Sequence, residues 1–526
     1  MTRAERLRER HERLCFVRAF PPNATALRRA LRELADFERR VRPVRGELEN
    51  TGIAGTLYRY PFNHRMAKWL AARYGRAVEI DWPAYKRHTW DEIAAMLSLT
   101  VAWAENEGLD DDDVPSWDWI RFAKGGGRRT DLRWLLDALE RRGFDPELDR
   151  HLFESLSLPL VWDLTGCPDA VTHARLPVRR VFHHRTLLTS RPADFAAAVR
   201  EPVARLELLA PARAARVIDA ARAALSQRER EFHVIVHAHR EETYRMDAGR
   251  GLEIYVFGLE PRLRLTLEAD YGALLVKNGV PIGYGYAALL AGRADLAINI
   301  FPTYRAGESP YVFTKFAALF HHHFGTRKLI MRRHQVGWRN PEGIEAGSFW
   351  FYYKLGFRPV DARVRRLAGA EAERLARRKG ARSGPETLRR LAKSDLVLCL
   401  DGSSVEQFRD IDVKRVGLAV TRRIEKRYGG DRTRAAAAMA AGVARALGVP
   451  RILETMPRLA PVAALVPTLS RFSPADKRRL ATVLAAKEAR RERAYVLALP
   501  RAKRFLEFLL ASFGTPASRR DRPCAS

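Results

Sequence analysis

Cysteine is scarce in this chain, with four in 526 residues, at positions 15, 167, 399 and 524. Their separations suit neither a paired zinc site nor a disulfide framework, so cross-links and structural zinc are excluded as organising devices and a reducing cytoplasm is expected. Long apolar runs are missing too. No stretch approaches the ~20 apolar residues of a membrane span, and the opening "MTRAERLRERHERLCF" has no apolar signal core, so no membrane partner is expected. No repeat recurs at a fixed period, which argues against solenoids and propellers. Nor can a Ser-His-Asp or Cys-His arrangement be assembled. Ser403 and Ser404 in "LVLCLDGSSVEQF" follow an Asp-Gly turn in an order that is not a nucleophile elbow, and read as a helix cap.

Acid is the minority charge. Lys and Arg number 93 against 62 Asp and Glu, a net +31 with a pI near 10.6. Residues 361–526 hold 37 Lys and Arg against 17 Asp and Glu, so +20 of the excess is regional. Clustered cations neutralise phosphates and release counterions, which makes RNA a candidate partner of the C-terminal region. The alternative is a coding bias toward Arg and Ala, visible in "ARAARVIDAARAAL", spread over helix surfaces. A hydrophobic content of 47% is ample for folding, and at about 150 residues per domain the length suggests about three domains.

Three regions are expected. Residues 1–160 read as mainly helical, with Thr130 and Gly143 bounding a helix in "TDLRWLLDALERRG". Residues 161–362 read as α/β. Strands are expected in "HVIVHAH" and "GLEIYVFGL", and Asn278-Gly279 divides two apolar runs as a type I′ hairpin turn does. A strand through "LAINIF", a helix through "PYVFTKFAALFHHHFG" and a strand "KLIM" follow. Residues 363–526 read as a basic helical region, with "RRKGARSGPET" as an exposed linker and "TPASRRDRPCAS" as a tail.

Four stretches invite chemistry. In "AINIFPTYRAGESPYVFTKF" a strand enters a polar turn and leaves as a helix, the logic of an anion site, with Ser309 as cap and Pro310 as first helical residue. "FAKGGGRRTD", Phe122 to Asp131, is a second basic glycine-rich loop, but it lacks the Gly-Lys-Ser/Thr ending of a nucleotide P-loop. The run Asp110 to Asp113 offers carboxylates to a cation, although such runs usually face solvent. His321 to His323 cannot converge on one ion, because consecutive helical side chains point about 100° apart.

"LLVKNGVPIGYGY", "INIFPTYRAGES", "FAALFHHHFG" and "FWFYYKLGFRPV" together resemble the GNAT superfamily of acyl-CoA-dependent N-acyltransferases, over residues 265–362. The resemblance implies an α/β fold, a GNAT-like central mixed sheet flanked by helical N- and C-terminal regions. In that family the central strand feeds a turn of the form Q/R-x-x-G-x-G/A whose amides hold the CoA pyrophosphate, and a later helix ends in Tyr-x-x-x-Gly-Phe. Arg305 matches the first turn position. The glycine positions fall on Glu308 and Pro310, unless a one-residue deletion brings Gly307 and Ser309 into register. Tyr352, Gly356 and Phe357 match the helix end, which makes Tyr352 the implied acid for the departing thiolate. The ordinary reading of Tyr352 is packing, within five consecutive aromatic residues.

From the polar loop "RRHQVGWRNPEGIEAGSF", Glu342 or His334 could take the amine proton, with Gln335, Asn340 and strand residue Asn299 orienting substrate. Backbone amides at Ile300 and Phe301 would polarise the acyl carbonyl if the family geometry holds. The implied cofactor is acyl-CoA, with Arg305, Gly307 and Ser309 near it, and the implied acceptor is a small-molecule or peptide amine. Relatives that take aminoacyl groups from tRNA form one alternative. A non-catalytic module of the same fold that binds RNA or protein forms another.

Overall fold

The computed structural model describes every residue except 87–91, 110–113, 126, 128, 379, 450–457 and 516–526. The acid run Asp110 to Asp113, Cys524 and nearly all of the expected tail therefore lie outside the described residues. The chain is mixed α/β and divides into two compact units. Unit 1 comprises residues 1–186, 215–236 and 277–281, and unit 2 the remainder.

Unit 1 is mostly helical, as expected, but also holds a three-stranded antiparallel sheet of β1 (Leu57–Tyr60), β2 (Val78–Ile80) and β3 (Leu160–Asp163), ordered β1-β3-β2. Strands of three and four residues are too short to display an alternation that can be read in sequence. Helix α1 (His64–Tyr74) begins where the Asn63 side chain accepts from the Met66 amide, and buries Met66, Ala67, Leu70 and Ala71 on one stripe. Helix α2 (Asp131–Arg141) is bounded as the sequence predicts. Thr130 Oγ1 accepts from Arg133 N at 3.1 Å, and Gly143 takes a positive φ of 66° just past the end. Both helices feed a core centred on the fully buried Tyr58 and Trp162.

"HVIVHAH" departs from expectation. His233–Val236 is a helical turn, and a strand starts only at Ala238. Val234, Ile235 and Val236 are all buried. A strand would turn the middle one to the opposite face, whereas a single helical turn can bury all three together.

Unit 2 is built on a nine-stranded sheet. In chain order its strands are β4 (Glu207–Leu208), β5 (Ala238–Asp247), β6 (Leu252–Leu259), β7 (Ala269–Lys277), β8 (Val280–Leu290), β9 (Arg293–Ile300), β10 (Lys328–Met331), β11 (Arg358–Pro359) and β12 (Leu396–Cys399). The spatial order is β11-β12-β10-β9-β8-β7-β6-β5-β4. The β7-β8 turn is the expected one, with Asn278 and Gly279 both at positive φ, 49° and 83°. Within unit 1 the Asn278 amide is consumed, accepting from Phe182 N and donating to the carbonyls of Ala19 and Phe182.

β9 and β10 are parallel, joined by helix α3 (Ser309–Phe324), which ends at Gly325 in the left-handed conformation. The α3 residue Phe316 fills the space above Gly285 of β8, where an added Cβ would stand 2.6 Å from the ring. β12 pairs with β10, so the sheet extends past the expected boundary at residue 362. The basic C-terminal region belongs to unit 2 as well. Helix α4 (Pro474–Glu488) anchors it there: Lys487 Nζ donates to Glu268 O at 3.0 Å and pairs with Glu492 at 2.5 Å. Arg264 pairs with Glu242 at 3.0 Å, and Tyr495 Oη donates to Leu267 O at 2.6 Å. The side chains of Lys487, Glu492, Arg264 and Glu242 are completely buried.

Candidate functional site

The site is built where β9 runs on past the end of its parallel neighbour β10. β9 and β10 share three register pairs, Arg293 with Lys328, Ala294 with Leu329 and Asp295 with Ile330. β9 then runs on through Leu296 to Ile300, where among the described residues it pairs with β8 alone, and its last four residues are half-buried. Arg332, just beyond β10, closes the paired part. Its guanidinium reaches Asp295 at 2.5 Å, Asp395 at 2.9 Å and Asp410 at 3.0 Å. Arg293 meets Asp295, Asp410 and Glu268 at 2.6 to 2.8 Å. Burial raises the Asp295 carboxyl to about 6 even with both guanidinium groups beside it.

The open edge of β9 presents backbone groups. Phe301 N donates to Ile282 O at 2.9 Å, so the Phe301 amide is used by the sheet and cannot polarise a substrate as expected. In an antiparallel pair the outward and inward amides alternate. With Ile300 opposite Gly283 and Ile298 opposite Gly285, the amides of Ile298 and Ile300 therefore face away from β8, toward the open edge. Asn299 lies on the other phase, and its Nδ2 donates to Tyr284 Oη at 3.4 Å.

The turn after β9 is a 3-10 turn over Pro302–Tyr304, closed by Gly307 N donating to Tyr304 O at 3.0 Å. Arg305 is exposed. Its Nε donates to Ile300 O at 3.1 Å, and its Nη2 lies 3.6 Å from Glu342 Oε1. Ser309 is not the cap: α3 starts at Ser309, Glu308 occupies the cap position without a side-chain capping bond, and Ser309 Oγ donates back to Arg305 O. The reason is Glu308, whose fully buried carboxylate accepts from Leu188 N at 3.1 Å and from Arg250 at 2.5 and 3.0 Å. That carboxylate is withdrawn from the helix start by an arginine 58 residues upstream, which local sequence does not reveal.

Tyr352 lies on helix α5 (Ser348–Lys354), 8% exposed, with its ring 5.9 Å from Phe313 of α3 and 5.8 Å from Phe357. Burial alone pushes its hydroxyl up to about 12. Among the described residues that hydroxyl forms no hydrogen bond. An aromatic run packs the helix, as the ordinary reading expects, with the Tyr352 tip left over.

The polar loop holds the remaining candidates. His334 is exposed, and its carbonyl accepts from Gly337 N and Asn340 Nδ2. Asn340 also accepts from Gly343 N at 3.3 Å, capping Pro341–Glu345, so both ends of its amide are engaged in the loop itself. Gln335 donates its backbone amide to Arg332 O. Glu342 is 72% exposed. The structure thus brings Glu342, Arg305 and Ile300 together in one chain of contacts, and holds Asn340 and His334 in another.

The other motifs resolve locally. His321, His322 and His323 bond three different carbonyls, those of Thr326, Glu201 and Ala204. In the second glycine-rich loop Gly126 and Arg128 lie outside the described residues, while Lys124 pairs with Asp131 and Arg129 with Asp137. No described helix is long and apolar enough to cross a membrane. Sequence reasoning missed Asp270, which accepts from Tyr286 Oη at 2.8 Å and is raised by burial to about 6. It also missed a cleft lined by Trp338 and Trp350. No family model matches the chain, and no curated protein or solved structure matches it.

Proposed function

We propose that the chain is a GNAT-like acyltransferase that moves an acyl group from a thioester donor, acyl-CoA, to the amine of a small molecule or peptide. The edge of β9 left open beyond the end of β10 carries this reading. In the resembled family the slot for the pantetheine arm lies between the central strand and its parallel neighbour, and the order hairpin, strand, helix, parallel strand supports the same assignment.

The residues that the resemblance assigns, with the open edge of β9, supply the chemistry. The amine lone pair attacks the thioester carbon, and the outward amides of Ile298 and Ile300 stabilise the oxyanion. Glu342, linked through Arg305 to the end of β9, takes the amine proton, and His334 is the other candidate. The C–S bond breaks as the tetrahedral centre collapses, and the neutral Tyr352 hydroxyl gives its proton to the thiolate.

A second reading has its own support. Glu308 and Pro310 stand where the family places pyrophosphate-binding glycines, Glu308 is tied to Arg250, and Pro310 has no N–H to give. This favours a donor that needs no such turn, an aminoacyl-tRNA. Full-length protein incubated with a panel of amines and either acetyl-CoA or aminoacyl-tRNA separates the two. Thiol release supports the first reading and loss of aminoacyl ester the second. Absence of both, with no binding of either donor, overturns acyl transfer.

A further inference from the structure

A cleft of about 1190 Å³ in unit 2 is lined by residues drawn from Gly337 to Lys354, by Leu375 and by residues drawn from Ala381 to Lys393, including helix α6 (Pro385–Leu391). Much of the polar loop between Gly337 and Gly347 lines it, whereas Tyr352, Arg305 and Glu342 do not. Six cations line it, Arg339, Lys354, Arg382, Arg389, Arg390 and Lys393, against two carboxylates, Glu345 and Glu386. Among the described residues none of the six forms an ion pair. That sets them apart from Arg264, Arg293 and Arg332 in the same unit, and leaves a concentrated positive field open to solvent.

Two indoles share the cleft. Trp350 is held by a relay: its Nε1 donates to Ser383 Oγ at 3.0 Å, and Ser383 Oγ donates to Glu371 at 2.6 Å. Arg374 grips Glu371 with two bonds of 2.7 Å, and that grip together with Ser383 pulls the Glu371 carboxyl down to about 2. The ring is thus fixed before any ligand arrives. The Trp338 ring carries Lys393 Nζ 6.0 Å and Arg333 Cζ 5.6 Å from its centre.

We propose that this cleft binds nucleotides, as a short single-stranded RNA segment. The fixed Trp350 ring stacks a base and the flanking cations track phosphates. An acidic peptide would use the charge and leave the two indoles unexplained. The six cations spread along the cleft favour several phosphates, hence a strand, over one free nucleotide. The inference does not depend on acyl transfer.

The test is fluorescence anisotropy of a labelled 12-residue oligouridylate with full-length protein, from 50 to 200 mM salt. ADP and a poly-glutamate peptide serve as competitors. Binding should weaken with salt. Arg389→Glu, Arg390→Glu and Lys393→Glu combined should make the log-log slope shallower by about 2, at about 0.7 per phosphate contact. Trp350→Leu should weaken binding by about 5- to 150-fold. Ser383→Ala, which frees the indole, should weaken it less, and thermal melts check that each variant folds. A control with equal charge reversal at Arg422, Lys426 and Arg427, exposed on the helix Val413–Tyr428, should retain most of the affinity. ADP that displaces the strand, with the same dependence on Trp350, supports the nucleotide chemistry with a free nucleotide as its source. The proposal is overturned by equal loss in both charge-reversal sets, by displacement with poly-glutamate as effective as with RNA, or by absence of binding at 50 mM salt.

Discussion

Among the described residues the Tyr352 hydroxyl has no partner to lose, so Tyr352→Phe should leave the melting temperature nearly unchanged while cutting the acyl-transfer kcat by about 10²- to 10⁴-fold. Its group is held at about 12 by burial, so the alkaline side of the rate profile should show no loss near pH 10, where an unshifted tyrosine would ionise. Asp270 gives a different pH signature. The folded protein holds its proton up to about 6, because of burial first and neighbouring Glu268 second, against an ordinary 3.8. The associated stability is fully present below pH 3.8 and is lost as pH rises through 6. Relative to the parent, Asp270→Asn should therefore gain stability between pH 4 and 7, by at most about 3 kcal/mol. Urea melts at the two pH values measure this, and a constant difference would contradict it.

Elements differ in how much of them could be read. The Asn278-Gly279 hairpin, the Thr130 cap and the Gly143 helix end were legible because each rests on local backbone chemistry. Tyr352 was legible as a position, through Tyr-x-x-x-Gly-Phe, but its unpartnered hydroxyl was not. Glu308 was legible as an obstacle to phosphate, while its withdrawal onto Arg250 depends on a contact across 58 residues. The sheet's continuation into β12 was hidden in the same way, since four residues after a helical stretch carry no pairing information. The C-terminal anchor also rests on distant contacts. Lys487→Met would leave Glu492 buried without its 2.5 Å partner, and should cost about 3–5 kcal/mol of stability. Denaturant unfolding checks this, and a loss below 1 kcal/mol would show that the anchor is dispensable.

Over the whole molecule, cations fall into two kinds. Arg293, Arg332 and Arg264 are matched by internal carboxylates, while among the described residues the cations of the tryptophan-lined cleft form no ion pair and contribute to the +31 excess. Acyl transfer is proposed instead at the open edge of β9. Its most direct test is a thermal titration of the full-length protein with acetyl-CoA and longer acyl-CoAs, run beside a thiol-release assay with added amines. A ligand that binds only the native state must raise the melting temperature, by the equivalent of about 2.7 kcal/mol at a hundredfold excess over Kd. The account predicts that rise in both the parent and Tyr352→Phe, with thiol release confined to the parent. An unchanged melting temperature at millimolar acyl-CoA, with no thiol released by any amine, would contradict it.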